Sequence, residues 1–197
     1  MNNLPKHLGG HKGRTHVDQG TITYLKDEFN IKTMLDIGCG PAGMVKLARN
    51  NGIVAHGIDG DFTVEREIDP SWITIHDYTV GLSLLDISVD LIWSVEFLEH
   101  VYEEYQDNYM KDFAKGKYAL ITFATPDKPG YHHVNCNTEE YWIGVFDRYG
   151  FDYDKARSIH IRNISTMGSR KKDKKTGIIF VRHQFVKETG MLFVKRK

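Results

Sequence analysis

Leu35-Asp36-Ile37-Gly38-Cys39-Gly40 joins the end of an apolar run to a glycine-rich turn, and the chain on either side is organised around it. Residues 33–37 have the length and apolar character of a short buried strand, and glycines directly after such a run predict a tight turn. Pro41 follows, suited to a first helical position where a missing N–H costs nothing. Met44, Val45, Leu47 and Ala48 then give a helix its apolar side, and Asn51-Gly52 closes it. Upstream, Asp18 is placed to cap a helix carrying Ile22, Leu25 and Phe29. Downstream, strands are expected at residues 53–58, 72–75, 89–93 and 118–123, with a helix over about 97–113. Thr138, followed by Glu139 and Glu140, opens a further helix that Gly150 stops. Residues 154–164 read as helical, while 177–186 and 191–194 are rich in Val, Ile and Phe. The alternation predicts an α/β three-layer sandwich: a mostly parallel sheet covered on both faces, with a late antiparallel edge strand.

The composition sets bounds on the rest. At 197 residues the chain suits one domain spanning 1–197, with 41% hydrophobic and 26% charged residues. Twenty-six basic residues balance twenty-six acidic ones, so no whole-molecule field favours nucleic acid or an anionic membrane. Cys39 and Cys136 are far apart and form no CxxC or Cys/His zinc pattern, which suits a reducing, cytoplasmic setting. Neither a signal-peptide core nor an apolar run near the ~20 residues of a membrane span is present. Arg170-Lys171-Lys172-Asp173-Lys174-Lys175 reads as a solvated basic loop over 168–177, with phosphate contact as the alternative. No aromatic residues interleave with it, as a single-strand groove would require. Oligomeric state has no signature in the sequence.

Gly38-Cys39-Gly40-Pro41-Ala42-Gly43 satisfies GxGxxG, a nucleotide-binding pattern, and Asp59 follows Gly40 by 19 residues, where an acid can bind ribose hydroxyls. Asp36 then discriminates between ligands. A carboxylate at the mouth of the turn opposes a pyrophosphate and suits a ligand bearing an ammonium and a sulfonium. The alternative is that Asp36 only hydrogen-bonds the turn. Over residues 34–123 the chain resembles the class I (Rossmann-like) S-adenosylmethionine-dependent methyltransferase family, through an acid followed by GxG after the first strand. Ser94-Val95-Glu96-Phe97-Leu98-Glu99-His100-Val101 is similar to the S-x-x-x-L-E-H-V segment of that family. The resemblance implies S-adenosyl-L-methionine as cofactor. Asp36 would hold its methionine part at the Gly38, Cys39, Gly40 turn. Asp59 and Gly60 would meet the ribose, Asp77 the adenine amino group, and Ser94 and Glu96 would lie beside the donor. The chain departs from the pattern at Ala42, which bears on how the helix starts. Glu96-Phe97-Leu98-Glu99 is not the Asn/Asp-Pro-Pro-aromatic motif of base-amino DNA methyltransferases, which disfavours that acceptor.

Tyr131-His132-His133-Val134-Asn135 follows the last of the expected parallel strands and should overhang the reacting methyl group. Transfer to a hydroxyl needs a base, and an imidazole suits neutral pH, so His133 or His132 is the candidate. A surface loop whose histidines bond backbone is the alternative. With Glu140-Tyr141-Trp142-Ile143, this segment resembles bacterial and phage methyltransferases associated with glycans, which implies a small-molecule or sugar acceptor. His11, Arg14 and His16 lie in residues 1–17, expected to form either a lid or a free arm, and join His100 and Tyr131 as candidate acceptor-side residues. Glu96 and His100 could ligate a metal together with His132 or His133, but the spacing alone does not assign one, so no metal is assigned. Two other classes share the glycine turn: a nicotinamide-dependent oxidoreductase and a catalytically idle donor-binding subunit.

Overall fold

The computed structural model describes residues 4–11, 13–172 and 179–197. In a seven-stranded sheet, β1 (Thr33–Ile37) is flanked in parallel by β2 (Val54–Asp59) and β4 (Val89–Ser94). Outside these lie β3 (Ile73–Ile75) and β5 (Gly116–Ile121), also parallel. The expected late antiparallel strand is β9 (Met191–Lys195), which pairs with β5 and with the short outermost strand β6 (Phe151–Tyr153). The order is therefore β3-β2-β1-β4-β5-β9-β6. The chain leaves β1 in one direction to build β2 and β3, then crosses back to β4 on the other side. A crevice opens at such a reversal, beyond the carboxyl ends of the strands.

Strand residues alternate between two cores because successive side chains point to opposite faces. Met34, Leu91, Trp93 and Leu120 pack with Ile22 and Leu25 of α1 (Gln19–Phe29) and Met44, Val45 and Ala48 of α2 (Gly43–Asn50). Leu35, Ile37, Ile92 and Ile121 face the other way, against Tyr109 and Phe113 of α3 (Gln106–Phe113) and Trp142 and Phe146 of α4 (Glu139–Arg148). Ile161 of α5 (Lys155–Ile164) and Val186 of α6 (Phe185–Thr189) complete the first layer. With both faces covered, the strands are nearly continuous apolar runs, as a parallel sheet requires.

Asp18 caps α1 and also ties it to the end of α5. Its Oδ1 accepts from the Thr21 N–H at 3.0 Å and the Thr166 N–H at 2.9 Å, and its Oδ2 from the Thr21 hydroxyl at 2.8 Å. The side chain is fully buried. Asp18→Ala removes a cap and orphans buried donors, so urea denaturation should show a loss of about 2 kcal/mol.

Several boundaries differ from the sequence expectation, for identifiable reasons. The α2 helix begins at Gly43 rather than Pro41, because the Ala42 N–H turns back onto the Cys39 carbonyl at 2.8 Å, with Ala42 left-handed at φ 63°. The helix expected from residue 97 starts only at Gln106. Glu96 is left-handed (φ 56°) and Val101 extended, so the intervening chain makes the 3-10 turns Leu98–His100 and Glu103–Tyr105 instead. Trp72 ends the 3-10 turn Pro70–Trp72 ahead of β3. Ser169–Lys172, expected in a basic loop over 168–177, is the strand β7, paired antiparallel with β8 (Ile179–Arg182). Residues 173–178 of that expectation lie outside the described residues. Among the described residues no helix is long and apolar enough to cross a membrane.

Candidate active site

A cavity of about 290 Å³ lies at the crevice between β1 and β4. Its floor is the glycine turn. Asp36, one residue from the end of β1, pairs in register with Gly57 and Trp93, which carries its carboxyl to the cavity wall at 4% exposure. Burial, then the negative charge of Asp59, pushes the Asp36 carboxyl well above the usual carboxylate range. Gly38 and Gly40 are both left-handed, at φ 79° and 48°, and turn the backbone along the cavity. Cys39 also lines it, but burial, then Asp36, raises its thiol, which keeps it protonated and unreactive.

Asp59 holds the turn together. One of its oxygens accepts from the Gly40 N–H at 2.8 Å and the other from the Asp61 N–H at 2.8 Å. Arg66 ties the same corner by donating to the Gly40 carbonyl at 2.8 Å and the Asp61 carbonyl at 2.9 Å. An ionised carboxylate retains lone pairs beyond these, and Asp59 and Gly60 both line the cavity. Asp59→Ala should weaken S-adenosylhomocysteine binding about tenfold in calorimetry, with a lower Tm because the turn loses its acceptor. An unchanged affinity would remove Asp59 from the donor site.

The described part of the N-terminal segment roofs the cavity. His7 Nε2 meets Asp77 Oδ2 at 2.7 Å, and His11 Nε2 meets Asp61 Oδ2 at 3.0 Å. His11 Nδ1 accepts from the Gly13 N–H at 2.9 Å, so its Nε2 carries the proton given to Asp61. These contacts help hold Asp77 and Asp61 below the usual carboxylate range despite burial, together with bonds from Thr79 and Thr63 respectively. The third glycine of the motif serves this roof. A Cβ on Gly43 would come within 2.2 Å of the Thr15 hydroxyl, so only glycine lets the segment lie on the start of α2. Arg14 and His16 line the cavity from the same segment. Burial, His183 and Arg14 depress His16 to about 4, so it is neutral at physiological pH.

His100, His133, Glu96 and Tyr131 also line the cavity. His133 donates its Nδ1 proton to the Lys128 carbonyl at 3.0 Å, which leaves Nε2 with a lone pair. A Cβ on Gly130 would fall 1.9 Å from that nitrogen, so the glycine makes room for the ring. His132 lies outside the cavity walls, beside Tyr102 and His7, with its ring centroid 5.4 Å from that of Tyr102. Ser94 is also outside them; its buried hydroxyl donates to the Ile37 carbonyl at 2.9 Å and pins β4 to β1. Burial, then His133, lowers His100 to about 4, and burial raises Glu96 to about 7. His7, His183 and Phe185 also line the cavity without any signal in the sequence, because each arrives through a contact remote along the chain, whereas Tyr78 and Phe97 come in beside Asp77 and Glu96.

Solved structures with the same architecture include methyltransferases. A TehB-like SAM-dependent methyltransferase from Corynebacterium glutamicum superposes with a TM-score of 0.59 at 16% identity, over 91% of this chain and 89% of that one. The fold is that of the class I methyltransferases. Magnesium protoporphyrin IX methyltransferase from Synechocystis, with bound SAM, gives 0.54 at 12% identity, over 89% of this chain and 76% of that one. A Burkholderia thailandensis 1,6-didemethyltoxoflavin-N1-methyltransferase, with bound 1,6-didemethyltoxoflavin and S-adenosylhomocysteine, gives 0.54 at 15% identity, over 91% and 78%. No family model and no curated protein matches the chain.

Proposed function

We propose that this chain transfers the methyl group of S-adenosylmethionine to a hydroxyl oxygen of a small molecule or glycan. The observation that carries the donor assignment is Asp36, a buried carboxyl raised by its surroundings at the floor of the cavity. A cationic ligand there would offset the cost of burying the charge, whereas a pyrophosphate would add to it. The fold shared with SAM-bound methyltransferases supports the same reading.

S-adenosylmethionine, when bound, supplies an electrophilic methyl carbon on a sulfonium leaving group. Asp36 would bind the ammonium of its methionine part. Asp59 would accept from the ribose hydroxyls, and Asp77 would face the adenine, with His7 yielding one carboxylate oxygen. The segment carrying His7, His11 and His16 would exclude water from the site. His133 would take the acceptor proton at Nε2, the nitrogen left free by the bond from Nδ1 to Lys128. Most of the rate would come from alignment of the two reactants, since the leaving group needs no assistance.

A nicotinamide enzyme is the competing use of the same turn. A ligand of the native state raises the melting midpoint, so thermal shift separates the two. S-adenosylmethionine and S-adenosylhomocysteine should raise Tm by several degrees and NAD and NADP should not. The reverse pattern would overturn the proposal.

A further inference from the structure

We propose that Glu99, His100 and His133 form a binding site for a divalent transition-metal ion at the acceptor side of the cavity. One ligand-capable atom from each of the three lies within 4.8 Å of the others. Glu99 is fully buried, and neither of its carboxylate oxygens has a hydrogen-bond partner among the described residues. A buried carboxyl without a partner loses its hydration and receives nothing back, which is a cost that a bound cation would remove. Lys128 is the neighbouring cation, but its ammonium is engaged by Glu188 at 2.6 Å. Glu96 lies close enough to Glu99 to share a proton with it, but a second acid brings no compensating charge to the pair.

The imidazole of His133 is already set for ligation. Metal-binding histidines characteristically give their second ring N–H to a carbonyl or carboxylate, which fixes the tautomer, and His133 does this through Nδ1 to Lys128. Backbone pairing holds the two halves of the site together. The Glu99 carbonyl accepts from the Val134 N–H at 2.9 Å and the Asn135 N–H at 3.2 Å. The segment bearing His133 is thus fastened to the 3-10 turn bearing Glu99 and His100. Two imidazoles and a carboxylate favour zinc, manganese, iron(II) or cobalt over calcium or magnesium. Three protein ligands would leave coordination positions open, and two of them, His100 and His133, line the cavity.

The mechanistic consequence rests on the methyltransferase reading. An acceptor whose hydroxyl oxygen binds the ion would lose its proton to water more easily. The alkoxide oxygen would then bond to the methyl carbon as the carbon–sulfur bond breaks, its electron pair leaving with sulfur. With the ion in place, His133 acts by holding the cation, and the proton goes to solvent instead of to Nε2. The acceptors favoured are alcohols and vicinal diols, which can coordinate a divalent ion.

The test is titration of the EDTA-stripped protein with zinc, manganese(II) and cobalt(II) by calorimetry, with the cobalt absorption spectrum as a second readout. One ion per chain is expected, with affinity at least a hundredfold weaker in His100→Ala and His133→Ala. Glu99→Gln should lose the metal-induced rise in Tm while its metal-free Tm stays equal or increases. S-adenosylhomocysteine binding, measured in parallel, should survive in all three. Absence of binding for all three ions, equal binding in the variants, or a lower metal-free Tm in Glu99→Gln would overturn the site. Metal binding without S-adenosylhomocysteine binding would leave the site standing and remove the methyltransferase reading. The opposite result would remove the site and leave His133 as a base.

Discussion

His133→Ala is expected to reduce methyl transfer by a factor of about 10² to 10⁴ while S-adenosylhomocysteine binding stays within about twofold of the unmodified protein. The range is that of a lost proton-removing group, and the separation from donor binding follows from geometry. His133 comes from a segment remote in sequence from the glycine turn, and its ring is held at the Lys128 carbonyl and beside Gly130. The measurement is S-adenosylhomocysteine release from S-adenosylmethionine over a panel of sugars, polyols and hydroxylated small molecules. His132→Ala is the internal control, since His132 lies outside the cavity walls. Near-normal turnover in His133→Ala would end its assignment, whether as base or as ligand.

Asp36→Asn should weaken donor binding by about 2–5 kcal/mol, the usual cost of leaving a desolvated charge without its partner. The empty protein should not be destabilised, because the substitution removes a carboxyl that burial already disfavours in its charged form. The pH dependence has a definite sign. The folded carboxyl is raised, so the empty site holds its proton further up the pH scale than an ordinary aspartate does. A cationic ligand favours the ionised form, so binding expels that proton. Affinity should therefore rise with pH, by at most about tenfold per unit, until Asp36 is ionised in the empty protein. The linked stability of the empty protein runs the other way: it is fully present below the ordinary aspartate range and is lost as pH rises from there through the raised value of Asp36. Calorimetry in two buffers of different ionisation enthalpy reads the proton release, and Asp36→Asn should abolish both the release and the slope. A pH-independent affinity would show that Asp36 does not face a cation.

The fold was legible where the chain is locally self-consistent. Residues 33–37, the glycines after them and the amphipathic run of Met44, Val45 and Ala48 all specify strand, turn and helix through neighbours only. The segment after β4 was misread because Leu98, Tyr109 and Phe113 do have helical spacing, while the N–H of the left-handed Glu96 is taken by the Thr122 hydroxyl just past β5 and the Glu99 carbonyl by Val134 and Asn135. The short β6 was invisible for a related reason: three residues carry no periodicity, and β9, its partner, lies about forty positions away. In the site, Asp36, Gly38, Asp59 and Asp77 lie at or just past the carboxyl ends of strands, so their convergence came with the topology. His7 on Asp77 and Thr15 on Gly43 are long-range contacts that no local pattern encodes. The pairing of the adjacent Glu99 and His100 with His133 is of the same kind, and the backbone bonds from Val134 and Asn135 support it.

The most direct test of the central claim is a crystal structure of the protein grown with S-adenosylhomocysteine. The account predicts its amino group against Asp36, its adenine beside Asp77, and its sulfur directed across the cavity toward Glu96, His100 and His133. Electron density for the ligand elsewhere, or with the adenine at Asp36 and the amino acid at Asp77, would contradict it.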